Sequence, residues 1–196
     1  MTLVTITPGF HENERLMVAN LFWQAFKGKL GPVMAPEHKA LAFLTEVVDP
    51  QFAISSRNSE GALLGVAGIK TVKGALVGGS LSDMARAYGW FGGLWRGLSL
   101  DWMDRKFEPE VLLMDGIFVS ETARGLGAGT ALLRVIKDLA KARGLKTVRL
   151  DVIDINPRAR ALYEREGFVA QGTTSIDPLR YVFGFEKQTE MHYPVS

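Results

Sequence analysis

Large apolar residues recur with helical spacing in two segments near the start of the chain. Within residues 11–26 and again within residues 36–47 they return every three or four positions, so each segment predicts an amphipathic helix. Gly28 and Gly31-Pro32 are expected to end the first helix. Short apolar runs bounded by turn-forming residues predict strands over residues 3–7, 52–56 and 62–72.

The second half of the chain alternates strand and helix signals more closely. An apolar run at residues 111–119 predicts a buried strand, and residues 130–143 carry the apolar stripe of an amphipathic helix. Residues 168–173 and 190–194 predict a final pair of strands, with a loop or short helical turn at residues 177–181 between them. Strands that alternate with helices predict one α/β domain over residues 1–196.

Residues 72–110 follow neither pattern. Glycines alternate here with large aromatic and aliphatic residues, including Trp90, Phe91 and Trp95. Ser80, followed by Asp83 three residues later, predicts a helix cap, so one or two short helices are expected despite the glycines. Two interpretations stay open: the segment packs against the first helices or forms a homodimer contact, or it is an aromatic lid over a small-molecule pocket.

The composition is that of an ordinary globular protein. The chain has 196 residues, of which 47% are hydrophobic and 22% are charged, which is enough to bury one core. It contains no cysteine, and this excludes disulfides, cysteine-rich zinc sites and a cysteine acyl-enzyme. The three histidines, His11, His38 and His192, lie far apart, so no metal site is expected.

Charge and hydropathy point away from nucleic acids and membranes. The net charge is only +2 and the basic residues form no long run, whereas nucleic-acid binding requires a basic patch or stripe. No stretch approaches the length of about 18 apolar residues that a membrane span needs, and the N-terminus lacks the features of a signal peptide. We therefore expect a soluble cytoplasmic protein.

The most informative motif is a glycine-rich run at the junction of a predicted strand and a predicted helix, Arg124-Gly125-Leu126-Gly127-Ala128-Gly129. The first N–H groups of a helix lack intrahelical partners, and the helix dipole places about half a positive charge there. Glycines also let a pyrophosphate approach the backbone closely. The run therefore predicts a binding site for a phosphate-bearing cofactor.

Two familiar phosphate-binding motifs fit this run poorly. A Walker A loop ends in Gly-Lys-Ser/Thr, and no lysine follows these glycines. A Rossmann fingerprint is spaced G-x-G-x-x-G and opens its domain, whereas Gly125, Gly127 and Gly129 run G-x-G-x-G past the middle of the chain. A nucleotide-dependent enzyme is thus a weak alternative.

Two motifs, in the same order along the chain, resemble those of the GCN5-related N-acetyltransferase (GNAT) family. The family's acetyl-CoA motif, R/Q-x-x-G-x-G/A, is matched by Arg124, Gly127 and Gly129. Its next strand, its N-x-x-A-x-x-L-Y helix and its G-F turn are matched by Leu150-Asp151-Val152 and by the run from Asn156 to Phe168. The resemblance is strong over residues 115–168, weak before residue 72 and absent between residues 72 and 110.

The resemblance implies the fold of that family. Its members have a mixed, mostly antiparallel sheet that is splayed where the cofactor enters, with helices on both faces. Residues 72–110 then form a Gly/Trp-rich insertion between the third and fourth strands, where the family usually needs only a short hairpin. The whole chain is expected to be one acetyltransferase domain.

The resemblance also implies acetyl-CoA as the co-substrate and names the residues that bind it. Amides of residues 126–130 are expected to bind the pyrophosphate, while the preceding strand binds the pantetheine arm and an N–H near Val119 polarises the acetyl carbonyl. Asn156 caps the next helix and touches the cofactor, and Arg158 reaches a phosphate. The complete expected set is Ile117, Phe118, Val119, Arg124, Gly125, Leu126, Gly127, Ala128, Gly129, Thr130, Asn156, Arg158 and Tyr163.

Three residues are predicted to move protons. Tyr163, two helical turns after Asn156, matches the tyrosine that the family places beside the cofactor sulfur, where a phenol returns a proton to the thiolate. Asp115 and Asp151 are equal candidates for the base that deprotonates the acceptor amine, directly or through water, although the family commonly has the longer glutamate there. His192 lies in the predicted final strand, where it either faces the acceptor pocket or is a satisfied structural histidine, and the structural role is expected.

The implied reaction is direct transfer of an acetyl group from acetyl-CoA to a primary amine in a ternary complex. A non-catalytic acyl-CoA-binding or sensor module is the alternative. The acceptor is a small-molecule amine or a peptide, and the sequence does not choose between them. A candidate aromatic lining favours a small amine with an apolar portion; its members are Trp23, Phe26, Trp90, Phe91, Trp95 and Tyr181.

Overall fold

Strands and helices alternate along the chain in the computed structural model, which describes residues 4–89, 108–177 and 184–196. The strands are β1 (Thr5–Pro8), β2 (Ala53–Arg57), β3 (Leu63–Thr71), β4 (Gly74–Ala75), β5 (Val111–Val119), β6 (Thr147–Ile153), β7 (Val169–Ser175) and β8 (Lys187–Pro194). The helices are α1 (Arg15–Met34), α2 (Glu37–Val47), α3 (Leu81–Tyr88), α4 (Ala128–Ala142) and α5 (Pro157–Arg165). This order confirms the predicted α/β class.

The strands form one mixed sheet in the order β1-β2-β3-β5-β6-β8-β7, with the short β4 beside β3. The described strand pairs are antiparallel, except that β5 and β6 run parallel. That parallel pairing covers only residues 111–113 opposite residues 147–149. Beyond it β5 stays paired with β3 and β6 with β8, so β5 and β6 separate. This opening, which we call the splay, confirms the sheet that the family resemblance implied.

Each face of the sheet is covered by its own apolar core. On one face, α4 and α5 pack on β5, β6 and β8, and Ile136 and Met191 are fully buried there. On the other face, α1 and α2 pack on β2, β3 and β5 through residues such as Phe22 and Phe118. We call these the α4 face and the α1 face. Helices on both faces agree with the predicted fold.

The first helix extends further than the sequence predicted. α1 continues through Gly28 and Gly31-Pro32 to Met34, so the expected stop is wrong. Its last turn brings Val33 and Met34 into the interior, where they are 0% and 1% exposed. Val33 lies in a small apolar cluster to which Ile153 of β6 also belongs. Burial of this turn therefore outweighs the weak helix propensity of glycine and proline.

Part of the glycine- and tryptophan-rich segment is a packed helix. The Ser80 hydroxyl accepts from the Asp83 amide at 3.2 Å, and the Asp83 carboxylate accepts from the Ser80 amide at 2.7 Å, which confirms the predicted cap of α3. Met84 is buried on the α1 face, and the Tyr88 hydroxyl donates to the Met34 carbonyl at 2.5 Å. Residues 81–88 therefore pack against the first helices, which was one of the two interpretations.

The lid interpretation covers residues 72–110, and residues 90–107 of that segment lie outside the described residues, as does Tyr181. It stays a prediction, and so does the homodimer contact. In the part of the chain that the structure describes, no helix has the length and apolar character required to cross a lipid bilayer.

Candidate functional site

Two of the three motif glycines adopt a backbone conformation that other residues rarely reach. Gly125 and Gly127 have φ angles of +85° and +83°, and Gly127 is the N-cap of α4. Gly129 lies in the first turn of α4, where a Cβ would come within 3.0 Å of Leu162 and 3.9 Å of Val119. The first two glycines thus shape the turn, and the third lets α5 pack closely on the start of α4.

The turn leaves several backbone amides available to a ligand. The Ala131 amide makes the first intrahelical bond of α4, to the Gly127 carbonyl at 2.9 Å, so the amides of residues 128–130 precede the helical hydrogen bonds. No described residue accepts from these three amides or from those of Gly125 and Gly127. The Leu126 amide differs, since it donates to the Ala123 carbonyl at 3.3 Å. Free amides at the positive end of a helix dipole suit an anion.

Two arginines and an asparagine predicted to bind the cofactor lie near this turn or on α5. Arg124 donates to Glu121 at 2.9 Å, and the two side chains are 42% and 74% exposed. An exposed pair of this kind is worth little, so Arg124 can turn toward a phosphate. Asn156 accepts from the Ala159 amide at 3.1 Å, which confirms its interpretation as the N-cap of α5. Arg158 is exposed on the first turn of α5.

The strand that leads to the turn offers one edge to the splay. Ser120, directly after β5, donates its amide to the Leu64 carbonyl of β3 at 2.9 Å. Successive residues of a strand direct their N–H and C=O groups to alternate edges, so Ile117 and Val119 direct theirs away from β3. Because β6 pairs with neither residue, these groups line the splay. Phe118 between them is 1% exposed on the α1 face.

The two candidate bases flank the start of the splay. Parallel pairing ends at residue 113 of β5 and residue 149 of β6, and each aspartate follows two residues later, at 115 and 151. Both lie on the α1 face. Leu76 of the α1-face core donates its amide to Asp115 at 3.3 Å, and Asp151 alternates with Leu150 and Val152, which are buried on the α4 face. The structure therefore places one carboxylate on each side of the opening.

Tyr163, the candidate acid, approaches from the other face of the sheet. It is 5% exposed on the α4 face, and its ring centroid lies 5.9 Å from that of Phe168. The preceding residue, Leu162, contacts the start of α4 beside Gly129. The splay joins the two faces, so groups on both of them can act on a molecule held between β5 and β6.

Sequence reasoning missed a group of polar side chains beside Asp151. Arg149 is the ladder partner of His192, and Asp151 is the ladder partner of Glu190, so the four side chains form a block on the α1 face of β6 and β8. We call this the polar block. Arg149 Nη2 lies 2.6 Å from Glu190 Oε2, and His192 Nε2 lies 2.7 Å from Glu190 Oε1. Polar residues do alternate with apolar ones in both strands, but only the pairing of β6 with β8 brings them together.

Neighbouring residues hold the polar block in place. Gln188 donates to Asp151 at 2.8 Å, and Glu108 accepts from Arg149 at 2.5 Å. The side chains of Arg149 and Asp151 are only 14% and 7% exposed. One arginine therefore lies among three carboxylates in a partly desolvated position, where negative charge exceeds positive charge.

The predicted aromatic lining is found only in part. Phe26 packs on Phe22 and Phe118, with ring centroids 4.7 Å and 5.6 Å apart, and a Cβ on Gly116 would come within 3.0 Å of its ring. Phe26 therefore lies beside β5, close to the splay. Trp23 instead belongs to the buried core of the α1 face and is 4% exposed. The other predicted members lie outside the described residues.

Comparisons with known proteins agree with this geometry. A family model, described as the acetyltransferase (GNAT) family, matches residues 16–168. Among curated proteins, the uncharacterized N-acetyltransferase YhfO of Bacillus subtilis (strain 168) is 38% identical over 58 residues. That match covers 30% of this chain and 39% of YhfO, so the chain matches well under two thirds of the length of this relative.

Solved structures share the fold over nearly the whole chain. A GCN5-related N-acetyltransferase from Kribbella flavida has a TM-score of 0.62 at 16% identity, with 97% of each chain covered. A GNAT superfamily phosphinothricin acetyltransferase from Sinorhizobium meliloti, solved in complex with AcCoA, has a TM-score of 0.60 at 16% identity. That match covers 100% of this chain and 90% of the other. At such identities the likeness shows the fold.

Proposed function

The chain belongs to the acetyltransferase (GNAT) family, and from this premise we propose that it transfers an acetyl group from acetyl-CoA to a primary amine. The observation that carries the proposal is the set of free amides at the start of α4, next to the unpaired edge of β5. A diphosphate suits the amides, and an extended amide-bearing arm such as pantetheine suits an unpaired strand edge. Acetyl-CoA combines both of these with a reactive thioester.

In this proposal the cofactor residues divide into three groups. The amides of Gly125 and residues 127–130 bind the diphosphate, and Arg124 and Arg158 add positive charge. Ile117 and Val119 bind the pantetheine arm through their backbone groups, with Phe118 buried behind them. The Val119 N–H polarises the acetyl carbonyl, and a fixed donor at such a position is worth about 3 kcal/mol of transition-state stabilisation. Asn156 and Tyr163 complete the set from α5.

Two proton transfers accompany the proposed reaction. Asp115 or Asp151 removes a proton from the acceptor amine on the α1 face, and Tyr163 gives a proton to the departing sulfur from the α4 face. No covalent acyl-enzyme is needed, because the amine attacks the thioester directly. Holding both reactants in one ternary complex is worth about 7 to 11 kcal/mol when they are well oriented.

The surroundings of the splay favour a cationic acceptor. The polar block and Glu108 set one arginine against several carboxylates, so an ammonium group is attracted there and a carboxylate or phosphinate is repelled. Phe26 adds an apolar surface near β5. We therefore expect an amine with an apolar or cationic tail to react faster than an acceptor that carries an acidic group.

The proposal is tested with purified protein by calorimetry and by thiol release. Acetyl-CoA is expected to bind, and CoA is expected to appear when benzylamine or spermidine is added but much more slowly with L-phenylalanine. A short peptide with an N-terminal alanine tests the peptide alternative. Binding of acetyl-CoA without thiol release on any of these amines would favour the sensor module. The absence of any acetyl-CoA binding would contradict both functions.

Matched substitutions locate the binding site. Asp and Asn tolerate the left-handed conformation of Gly127, but only Asp adds a negative charge where the diphosphate should lie. We expect Gly127→Asp to weaken acetyl-CoA binding about 100-fold, as one close repulsion of a few kcal/mol would do, and Gly127→Asn to weaken it much less. Gly144, at the other end of α4, also has a positive φ and open space around it, so Gly144→Asp is the control. Equal affinities for the two Asp variants would place the diphosphate elsewhere.

A further inference from the structure

Two buried nitrogen atoms of the polar block have no hydrogen-bond partner among the described residues. They are Arg149 Nε and His192 Nε2, which belong to residues directly opposite each other in the β6–β8 ladder. His192 Nε2 is close to a Glu190 oxygen, but its N–H is not aligned with that oxygen. A buried polar atom without a partner costs about 1 to 3 kcal/mol, so each such atom calls for an explanation, of which a ligand or a reaction is one. Trp23 Nε1 likewise has no described partner but lies inside the α1-face core, whereas these two nitrogens lie together beside the splay.

His192 lies next to the place where the acceptor amine must lose its proton. Arg149, its ladder partner, is the last residue of β6 that pairs with β5, so His192 is one strand away from the start of the splay. Ladder partners have Cβ atoms about 5 Å apart, and diagonal neighbours such as Asp151 and His192 are about 7 Å apart. The imidazole can therefore exchange a proton with Asp151 directly or through one water.

The two side chains differ in their access to solvent. Asp151 is 7% exposed, so a proton that it accepts needs a way out, whereas His192 is 26% exposed. Imidazole is also the side chain whose ordinary titration range includes neutral pH, which lets it both accept and release a proton. We propose that His192 carries the acceptor's proton from Asp151 to solvent and that Glu190 is its positioning residue. This inference rests on the proposed acetyl transfer and deepens it.

The proposed steps balance as follows. The acceptor enters as an ammonium ion, one N–H bond breaks, and the proton passes to Asp151 and then to His192 while the nitrogen keeps the electron pair. That pair forms the C–N bond as the C–S bond breaks, with the electrons of the broken bond going to sulfur. Tyr163 gives its proton to the sulfur, and the second proton lost by the nitrogen restores the Tyr163 hydroxyl through water. The Glu190 carboxylate balances the charge that His192 gains.

Charged groups around His192 influence its protonation, so a pH experiment measures the imidazole together with them. Arg149 and Asp151 face it from β6, Glu190 faces it from its own strand, and its ladder partner on β7 is the apolar Val169. For wild-type protein with spermidine, kcat/KM is expected to rise with pH through one ionisation that depends on His192. A pH profile that is flat, or that is the same without His192, overturns the proposal.

The central variant is His192→Gln, with His38→Gln as the matched control because His38 is exposed on α2. We expect His192→Gln to lower kcat about 100-fold, the smaller end of general acid–base contributions, and to remove the ionisation from the profile. Acetyl-CoA affinity by calorimetry should stay the same in both variants. His192→Gln with wild-type kcat and profile would overturn the inference.

Rescue separates a proton carrier from a structural residue. Imidazole added to His192→Ala should restore at least about one tenth of the lost rate, because a free base can replace the missing one. Glu190→Gln should lower kcat about 10-fold while the ionisation remains, since the imidazole is still present. Failure of rescue together with an unchanged Glu190→Gln enzyme would overturn the proposal. If wild-type protein releases no thiol with any amine, it is the proposed function that fails.

Discussion

Two arginines on the same sheet are held in different ways. At the β2 end, Arg57 is 8% exposed and bonds Glu14 twice, at 2.6 Å and 2.7 Å, while its other donors reach Thr7 and the Gly61 carbonyl. At the splay, Arg149 contacts carboxylates from two other segments but leaves Nε without a described partner. The first arrangement is closed and structural. The second leaves a buried donor without a described partner, next to the place where a substrate is expected.

The same contrast shows why size alone does not identify a site. A cavity of about 560 Å³ lies beside Arg57, lined by residues of β1, the segment that precedes α1 and the turn after β2. The charged groups in its wall, Arg57 and Glu14, already satisfy each other. The splay is instead marked by free amides and an unpaired strand edge. Unsatisfied polar groups therefore distinguish the splay from this cavity.

The largest expected effect is a fall in kcat. It comes from comparing two tyrosines that both pack on Phe168, one with a proposed role in the reaction and one without. Tyr163 and Tyr193 have ring centroids 5.9 Å and 5.6 Å from it, but only Tyr163 is the proposed acid. Tyr163→Phe keeps the ring and removes the proton donor, so kcat for thiol release should fall about 100- to 1,000-fold. Tyr193→Phe is the control and should keep kcat within about two-fold. Equal effects of the two variants would remove Tyr163 from the mechanism.

The next effect concerns stability rather than rate. Glu14→Gln leaves Arg57 buried without its carboxylate, so the free energy of unfolding should fall by about 3 kcal/mol. Glu12→Gln is the matched control, because Glu12 forms its ion pair with Arg15 at the surface, with 74% of its side chain exposed. The control should cost under about 1 kcal/mol. Urea unfolding measures both, and kcat of the folded fraction should be unchanged in either variant.

Acid sensitivity follows from the same ion pair. Hydrogen bonds from Arg57 lower the pKa of Glu14 from 4.5 to about 2 in the folded protein. The pair therefore contributes its full stability above the unfolded pKa, and this contribution is lost as pH falls from 4.5 toward 2. As pH falls through this range, the free energy of unfolding of the wild-type protein should decrease by about 1 to 2 kcal/mol more than that of Glu14→Gln, with solvent screening taken into account. Parallel acid-unfolding curves for wild type and variant would contradict this.

Sequence patterns predicted several local backbone features correctly. The cap formed by Ser80 and Asp83, the N-cap Asn156 and the glycine turn before α4 each depend on residues within a few positions of one another. Such features follow from backbone conformation and from short-range hydrogen bonds, which neighbouring residues determine. The splay was predicted from the family resemblance, and the two aspartates flank its start.

Features that depend on distant contacts were not predicted. The end of α1 was placed too early, because the burial of Val33 in a cluster with Phe185 is not visible in the local sequence. The polar block was missed for a similar reason: β6 and β8 are separated along the chain by α5 and β7. The sequence indicated that His192 lies in the last strand and could face the acceptor pocket, but only the ladder placed it opposite Arg149.

The smallest expected effect is that of replacing Lys137, which tests whether position or pairing determines the role of an enclosed cation. Lys137 of α4 lies near β8, as does Arg149, but it donates to the Glu166 carbonyl at 2.8 Å and carboxylate at 3.1 Å and lies 4.7 Å from the Tyr193 ring centroid. Its side chain is 15% exposed, so it resembles Arg57 in being enclosed and paired. Lys137→Gln should therefore lower the unfolding free energy by about 1 kcal/mol and leave kcat unchanged. A fall in kcat without loss of stability would show that a satisfied cation near β8 also takes part in the reaction, and the contrast between Arg57 and Arg149 would then reflect position alone.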